Sequence, residues 1–183
     1  MAVPSTMLPL GTRAPAFTLP DPAGELFSLP DPGAHPAVLV VFLCNHCPYV
    51  QHIADSLADV TADLIARGVP VFGISSNDVE AYPDDSPSRM AEEAERRGYP
   101  FPYLYDQSQD VARAYDAACT PDFFLFDGQL RLVYRGQYDG SRPGGHDPVT
   151  GADLLAAVDA VLAGEPVAGD QRPSMGCSIK WRE

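Results

Sequence analysis

Seven consecutive apolar residues, Ala37-Val38-Leu39-Val40-Val41-Phe42-Leu43, narrow the fold of this 183-residue chain more than any other segment. Side chains on a strand alternate between the two faces of a sheet, so an unbroken apolar run is a strand buried on both sides. Such a strand belongs in a parallel or mixed sheet with helices above and below it. Beyond it, from about Cys47, Val50, Ile53, Ala54, Leu57, Val60, Leu64 and Ile65 recur at helical spacing on one face. Gly68 then stands where a helix C-terminal cap belongs, and residues 69–75 return to a strand pattern. The expectation is a β-α-β unit with Cys44 and Cys47 at its strand-to-helix turn.

The flanking segments extend this frame. Residues 13–36 alternate short apolar pieces with Pro, Gly and Asp, which suits a small N-terminal β-hairpin or extended arm. Ser86-Pro87 opens a second helix that closes at Gly98. A short strand is expected at residues 103–105, a short helix at 108–115, and a hairpin of strands 123–126 and 130–134 turning at Asp127-Gly128. Thr150-Gly151-Ala152-Asp153 reads as a variant capping box heading a last helix, and residues 164–183 as an ordered Pro- and Gly-rich tail. The sum is one α/β domain over residues 1–183, with a central mixed sheet flanked by helices.

Charge and composition remove several function classes. Lys and Arg total 12 against 25 Asp and Glu, a net charge of -13, and such a surface repels nucleic acid and anionic membrane alike. No stretch approaches the roughly 20 apolar residues of a membrane span. The first residues lack the basic start and apolar run of a signal peptide, so a cytoplasmic location is expected. A reducing compartment argues against a structural disulfide framework built from Cys44, Cys47, Cys119 and Cys177.

Cysteines three apart at a helix start can close a small disulfide with little backbone movement. Unpaired N–H groups and the helix dipole stabilise an anion there, bringing a thiol from about 8.5 down to about 3.5–7.5. On this reading Cys44 is the attacking thiolate, and Cys47, one turn further on, resolves the mixed disulfide. His46, between them, is a nearby potential cation that would stabilise the Cys44 thiolate further. Three plainer readings stand beside this one. Half of a zinc site would require four convergent ligands, and the chain has no second Cys-x-x-Cys and no His-x-x-x-His. Haem attachment requires His after the second Cys, where Pro48 stands. The cysteines could also be inert packing groups.

With these residues in hand, the chain resembles the thioredoxin-like superfamily and, within it, the redoxin branch of alkyl hydroperoxide reductase and peroxiredoxin-like proteins. The resemblance rests on Gly11-Thr-Arg-Ala-Pro15-Ala-Phe17, on Cys44-Asn-His-Cys47-Pro-Tyr, and on Phe101 to Asp106 with Val111 to Tyr115. It rests also on Cys119-Thr120-Pro121-Asp122 and on Gly176-Cys177-Ser-Ile-Lys-Trp181. It implies a thioredoxin fold, a cis bond at Thr120-Pro121 facing the cysteine pair, and pairing of the Thr120 backbone with a substrate's extended chain. It also marks departures. Leu43 replaces the Trp that thioredoxins usually carry before the first Cys, and Val38 stands where some carry a buried acid. Peroxiredoxins place Pro and Thr seven and three residues before their reactive Cys; counting from Cys44 gives Ala37 and Val41, and from Cys47 gives Val40 and Cys44.

The expected function is thiol–disulfide exchange by Cys44 and Cys47, tuned by His46, with Thr120 and Pro121 positioning the substrate. Cys119 and Cys177 are candidates for additional redox thiols. The expected partners are protein or small-molecule thiols and disulfides, hydroperoxides in an alternative thiol peroxidase reading, and an electron-donating reductant. A non-catalytic binding module of the same fold is the third reading. No metal or organic cofactor is expected.

Overall fold

A computed structural model describes residues 1–183. In chain order the elements are β1 (Ala2–Pro4), β2 (Thr18–Pro20), β3 (Leu26–Ser28), β4 (Ala37–Phe42), α1 (Pro48–Ala66), β5 (Val71–Ser75), α2 (Pro87–Arg97) and β6 (Tyr103–Tyr105), followed by α3 (Asp110–Ala114), β7 (Cys119–Thr120), β8 (Asp122–Asp127), β9 (Leu132–Gly136), α4 (Ala152–Leu162) and β10 (Met175–Ser178). A single 3-10 turn, Pro83–Asp85, precedes α2. The five-stranded sheet has the order β6-β5-β4-β8-β9, with β4, β5 and β6 parallel and β8 and β9 antiparallel to their neighbours.

The apolar run behaves as its pattern requires. All six residues of β4 are buried, and alternation sends them to two cores. Leu39, Val41 and Leu43 pack with Val50, Ile53, Leu57 and Leu64 of α1, Met90 of α2, and Leu154 and Val158 of α4. Val38, Val40 and Phe42 pack on the other side with Phe17, Leu19, Leu104, Ala112 and Tyr115. Three helices therefore cover one face, while α3 and the β2–β3 hairpin cover the other. No helix is long and apolar enough to cross a membrane.

Helix α1 stops where the sequence says it should. Gly68, at φ +86°, donates to Ile65 O, and Val69 donates to Leu64 O, the paired bonds of a Schellman cap. Two expectations change. The capping box at residues 150–153 does not form: the N-cap of α4 is Gly151, and Asp153 instead accepts from Gln137 Nε2 at 2.6 Å. A carboxylate from another loop supplies the anchor, because Asp139 accepts from the Thr150 and Gly151 amides. The tail also contains β10, which pairs antiparallel with β1 on one side and β7 on the other, so both chain ends are fastened into one three-stranded sheet.

Candidate active site

Strand β4 hands over to α1 through Leu43-Cys44-Asn45-His46, and Cys47 is the N-cap residue, with Pro48 at the first helical position. Pro fits there because its missing N–H would lack a helical partner anyway. The turn is tied down from outside. The Asn45 N–H donates to Asp85 Oδ1 at 2.7 Å, its Nδ2 donates to Asp84 O at 2.9 Å, and its Oδ1 accepts from the Tyr103 hydroxyl at 2.9 Å. Gln51 Nε2 holds the Asn45 carbonyl at 3.0 Å.

Both sulfurs meet Thr120, the residue before the cis peptide at Thr120-Pro121. Cys44 Sγ lies 3.2 Å from Thr120 Oγ1, and Cys47 Sγ lies 3.2 Å from Thr120 O. Each sulfur influences the ionisation of the other, and both are free thiols. Cys44 is 1% exposed and Cys47 0%.

The two thiols are unlike: the electrostatics lower the pKa of Cys47 and raise that of Cys44. The Cys44 thiol, donating to Cys47, does most to hold Cys47 down to about 5, helped by the Cys177 thiol and by the Val50 and Cys177 amides. That same bond, together with burial and the facing Asp85 carboxylate, pushes Cys44 well above the usual thiol range. The two thiols thus titrate as one unit. Of the two, Cys47 holds the helix capping position, and Cys44, the thiolate expected from the sequence, stands three residues before it with the Asp85 carboxylate nearby.

His46 lies between the pair and a carboxylate. Its Nδ1 is 2.6 Å from Asp85 Oδ2, and its ring stacks on Tyr82 with centroids 5.8 Å apart. Asp85 is fully buried and also accepts from Asn77 Nδ2 at 2.8 Å. Sequence reasoning missed this residue, which sits in the acidic stretch from Asp78 to Asp85; nothing in that stretch distinguishes the one carboxylate that turns inward. Cys44, His46 and Asp85 have ligand atoms within 4.8 Å of one another, which is three of the four donors that a closed zinc site uses.

The remaining cysteines part company. Cys119 is buried, its thiol reaches the Pro121 carbonyl at 3.7 Å, and burial raises its pKa. Cys177 lies opposite Thr120 on β10, partly exposed, and packs against the core cluster that contains the pair. The Thr120 backbone, expected to receive a substrate's strand, is therefore paired with the chain's own tail.

Residues 10–135 match the family model described as AhpC/TSA. A provisionally named peroxiredoxin of Mycobacterium tuberculosis is 31% identical over 138 residues, covering 74% of this chain and 83% of that protein. The crystal structure of an uncharacterised conserved protein from Geobacillus kaustophilus is 52% identical and superimposes with a TM-score of 0.96, covering 100% of this chain and 97% of that one. The thioredoxin domain of a thiol-disulfide oxidoreductase from Bacteroides vulgatus shares the fold, at 22% identity, a TM-score of 0.58, and 70% and 88% coverage.

Proposed function

The chain belongs to the AhpC/TSA family of thiol redox proteins, and from that premise we propose that it is a thiol–disulfide oxidoreductase whose Cys44 and Cys47 alternate between dithiol and disulfide. The observation that carries this reading is the placement of the two sulfurs, each 3.2 Å from one Thr120. Cys47, its pKa lowered to about 5, is taken as the nucleophile. Its sulfur attacks a substrate disulfide, forming a mixed disulfide and expelling one substrate thiolate, which takes up a proton. Cys44 then loses its proton and attacks Cys47 Sγ, and the second substrate thiolate leaves. The substrate gains two electrons and the protein holds a Cys44–Cys47 bond.

A second reading, thiol peroxidase, is favoured by the burial of both sulfurs, which suits a small oxidant, and by the name of the M. tuberculosis relative. There Cys47 attacks a peroxide oxygen, alcohol or water leaves, and Cys44 displaces water from the sulfenic acid.

One assay tests both readings. Dithiothreitol-driven reduction is followed with 2-hydroxyethyl disulfide or with hydrogen peroxide as the acceptor. Cys47→Ser should abolish turnover, and the parent should reduce the disulfide acceptor faster than peroxide. A faster peroxide reaction selects the peroxidase. A Cys47→Ser protein as active as the parent on both acceptors contradicts the assignment altogether.

A further inference from the structure

The two sulfurs of the pair are 1% and 0% exposed, yet the electrons they exchange must come from outside the molecule. A third sulfur lies beside them. Strand β10 lies antiparallel to β7 with Cys177 opposite Thr120 and Ser178 opposite Cys119, and Cys177 packs against the core cluster that contains Cys44 and Cys47. Of the three sulfurs, only that of Cys177 belongs to a residue that solvent reaches appreciably.

The approach of this strand is built in. At Gly176 a Cβ would come 1.9 Å from Thr120 O and 2.5 Å from its carbonyl carbon, which no larger residue could occupy without moving the strand away. Ser174 Oγ donates to Pro121 O at 2.7 Å, and the Ser5 amide donates to Ser174 O at 2.9 Å. On its far edge β10 is held by β1, with Ala2 opposite Cys177. The tail is thus locked to the residues that bracket the pair, which fixes Cys177 opposite Thr120, the residue that both sulfurs meet.

We propose that Cys177 is a third catalytic thiol, the relay through which an external dithiol returns the Cys44–Cys47 disulfide to its reduced state. The inference rests on the dithiol reading above. Cys177 gives up its proton and attacks Cys47 Sγ. The Cys44–Cys47 bond breaks, and its electron pair leaves on Cys44, which takes a proton. The disulfide now joins Cys47 and Cys177, with no net oxidation or reduction. A dithiol reductant attacks Cys177 Sγ and Cys47 leaves as a thiolate; the reductant's second thiol then displaces Cys177. The reductant ends as a disulfide, having lost two electrons and two protons, and all three protein sulfurs are reduced. Cys47, held down to about 5, is the best leaving group of the three, which favours attack at Cys177.

The test uses full-length protein and peptide maps of acid-quenched samples. Oxidised Cys177→Ser should carry the same Cys44–Cys47 bond as the parent, but dithiothreitol should reduce it at least about tenfold more slowly. Cys44→Ser, once oxidised, should accumulate a Cys47–Cys177 bond, and this readout stands even if the first variant folds poorly. Reduction of Cys177→Ser at the parent rate, or oxidised Cys44→Ser without the Cys47–Cys177 bond, overturns the relay. Failure of the parent to form any Cys44–Cys47 bond would instead sink the dithiol reading beneath it.

Discussion

Thr120 shows how few atoms set the chemistry. Its hydroxyl meets Cys44 and its carbonyl meets Cys47, so one residue holds both sulfurs in register. What separates them is the remaining company: helix and tail donors around Cys47, and a buried carboxylate beside Cys44. The consequence for pH has a definite sign. Cys47 is depressed from the ordinary thiol value of 9.0 to about 5, so its thiolate persists above that value and is lost as pH falls through it. Thiolate absorbance of the reduced protein should rise in a first step near pH 5, exchange rate should fall below the same point, and Cys47→Ser should lose both steps. A first ionisation near 9 would contradict the assignment. Asp85→Asn removes the carboxylate that repels a Cys44 thiolate, and should bring the ionisation of Cys44 down.

Among the elements, β4 and α1 carry most of the fold. Leu57 is fully buried in the core between α1 and the sheet, whereas Asp59 faces solvent on the same helix. Leu57→Ala should lower unfolding free energy by about 2–5 kcal/mol in urea titrations, and Asp59→Ala by no more than about 0.5 kcal/mol. Equal effects would mean that the helix face has been assigned wrongly. These elements were legible because their signals are local: an apolar run, a 3.6-residue period, Gly68 and Gly98 at helix ends, Pro121 before a strand. The site was half legible. The Cys spacing marked the turn, but the location of the charge depends on groups distant in sequence. Asp85 comes from 40 residues away. Cys177 comes from a segment whose Pro and Gly content hid a strand that forms only by pairing with both β1 and β7. The capping box failed for the same reason, since Asp139 and Gln137 from the preceding loop outcompete the local partners.

At the scale of the whole molecule, the five-stranded sheet presents the cysteine turn at one end of β4, and the three-stranded sheet closes over that end with both chain termini. The result is a redox pair shut away from water yet in contact with a strand that leads outward. The central claim is that this pair interconverts with a disulfide. The most direct measurement equilibrates the protein across glutathione buffers of graded oxidation and quantifies Cys44–Cys47 linkage in non-reducing peptide maps. One disulfide per chain, appearing with the slope of a two-electron couple, is the expected result. Two cysteines that stay free thiols across the whole range would contradict the account.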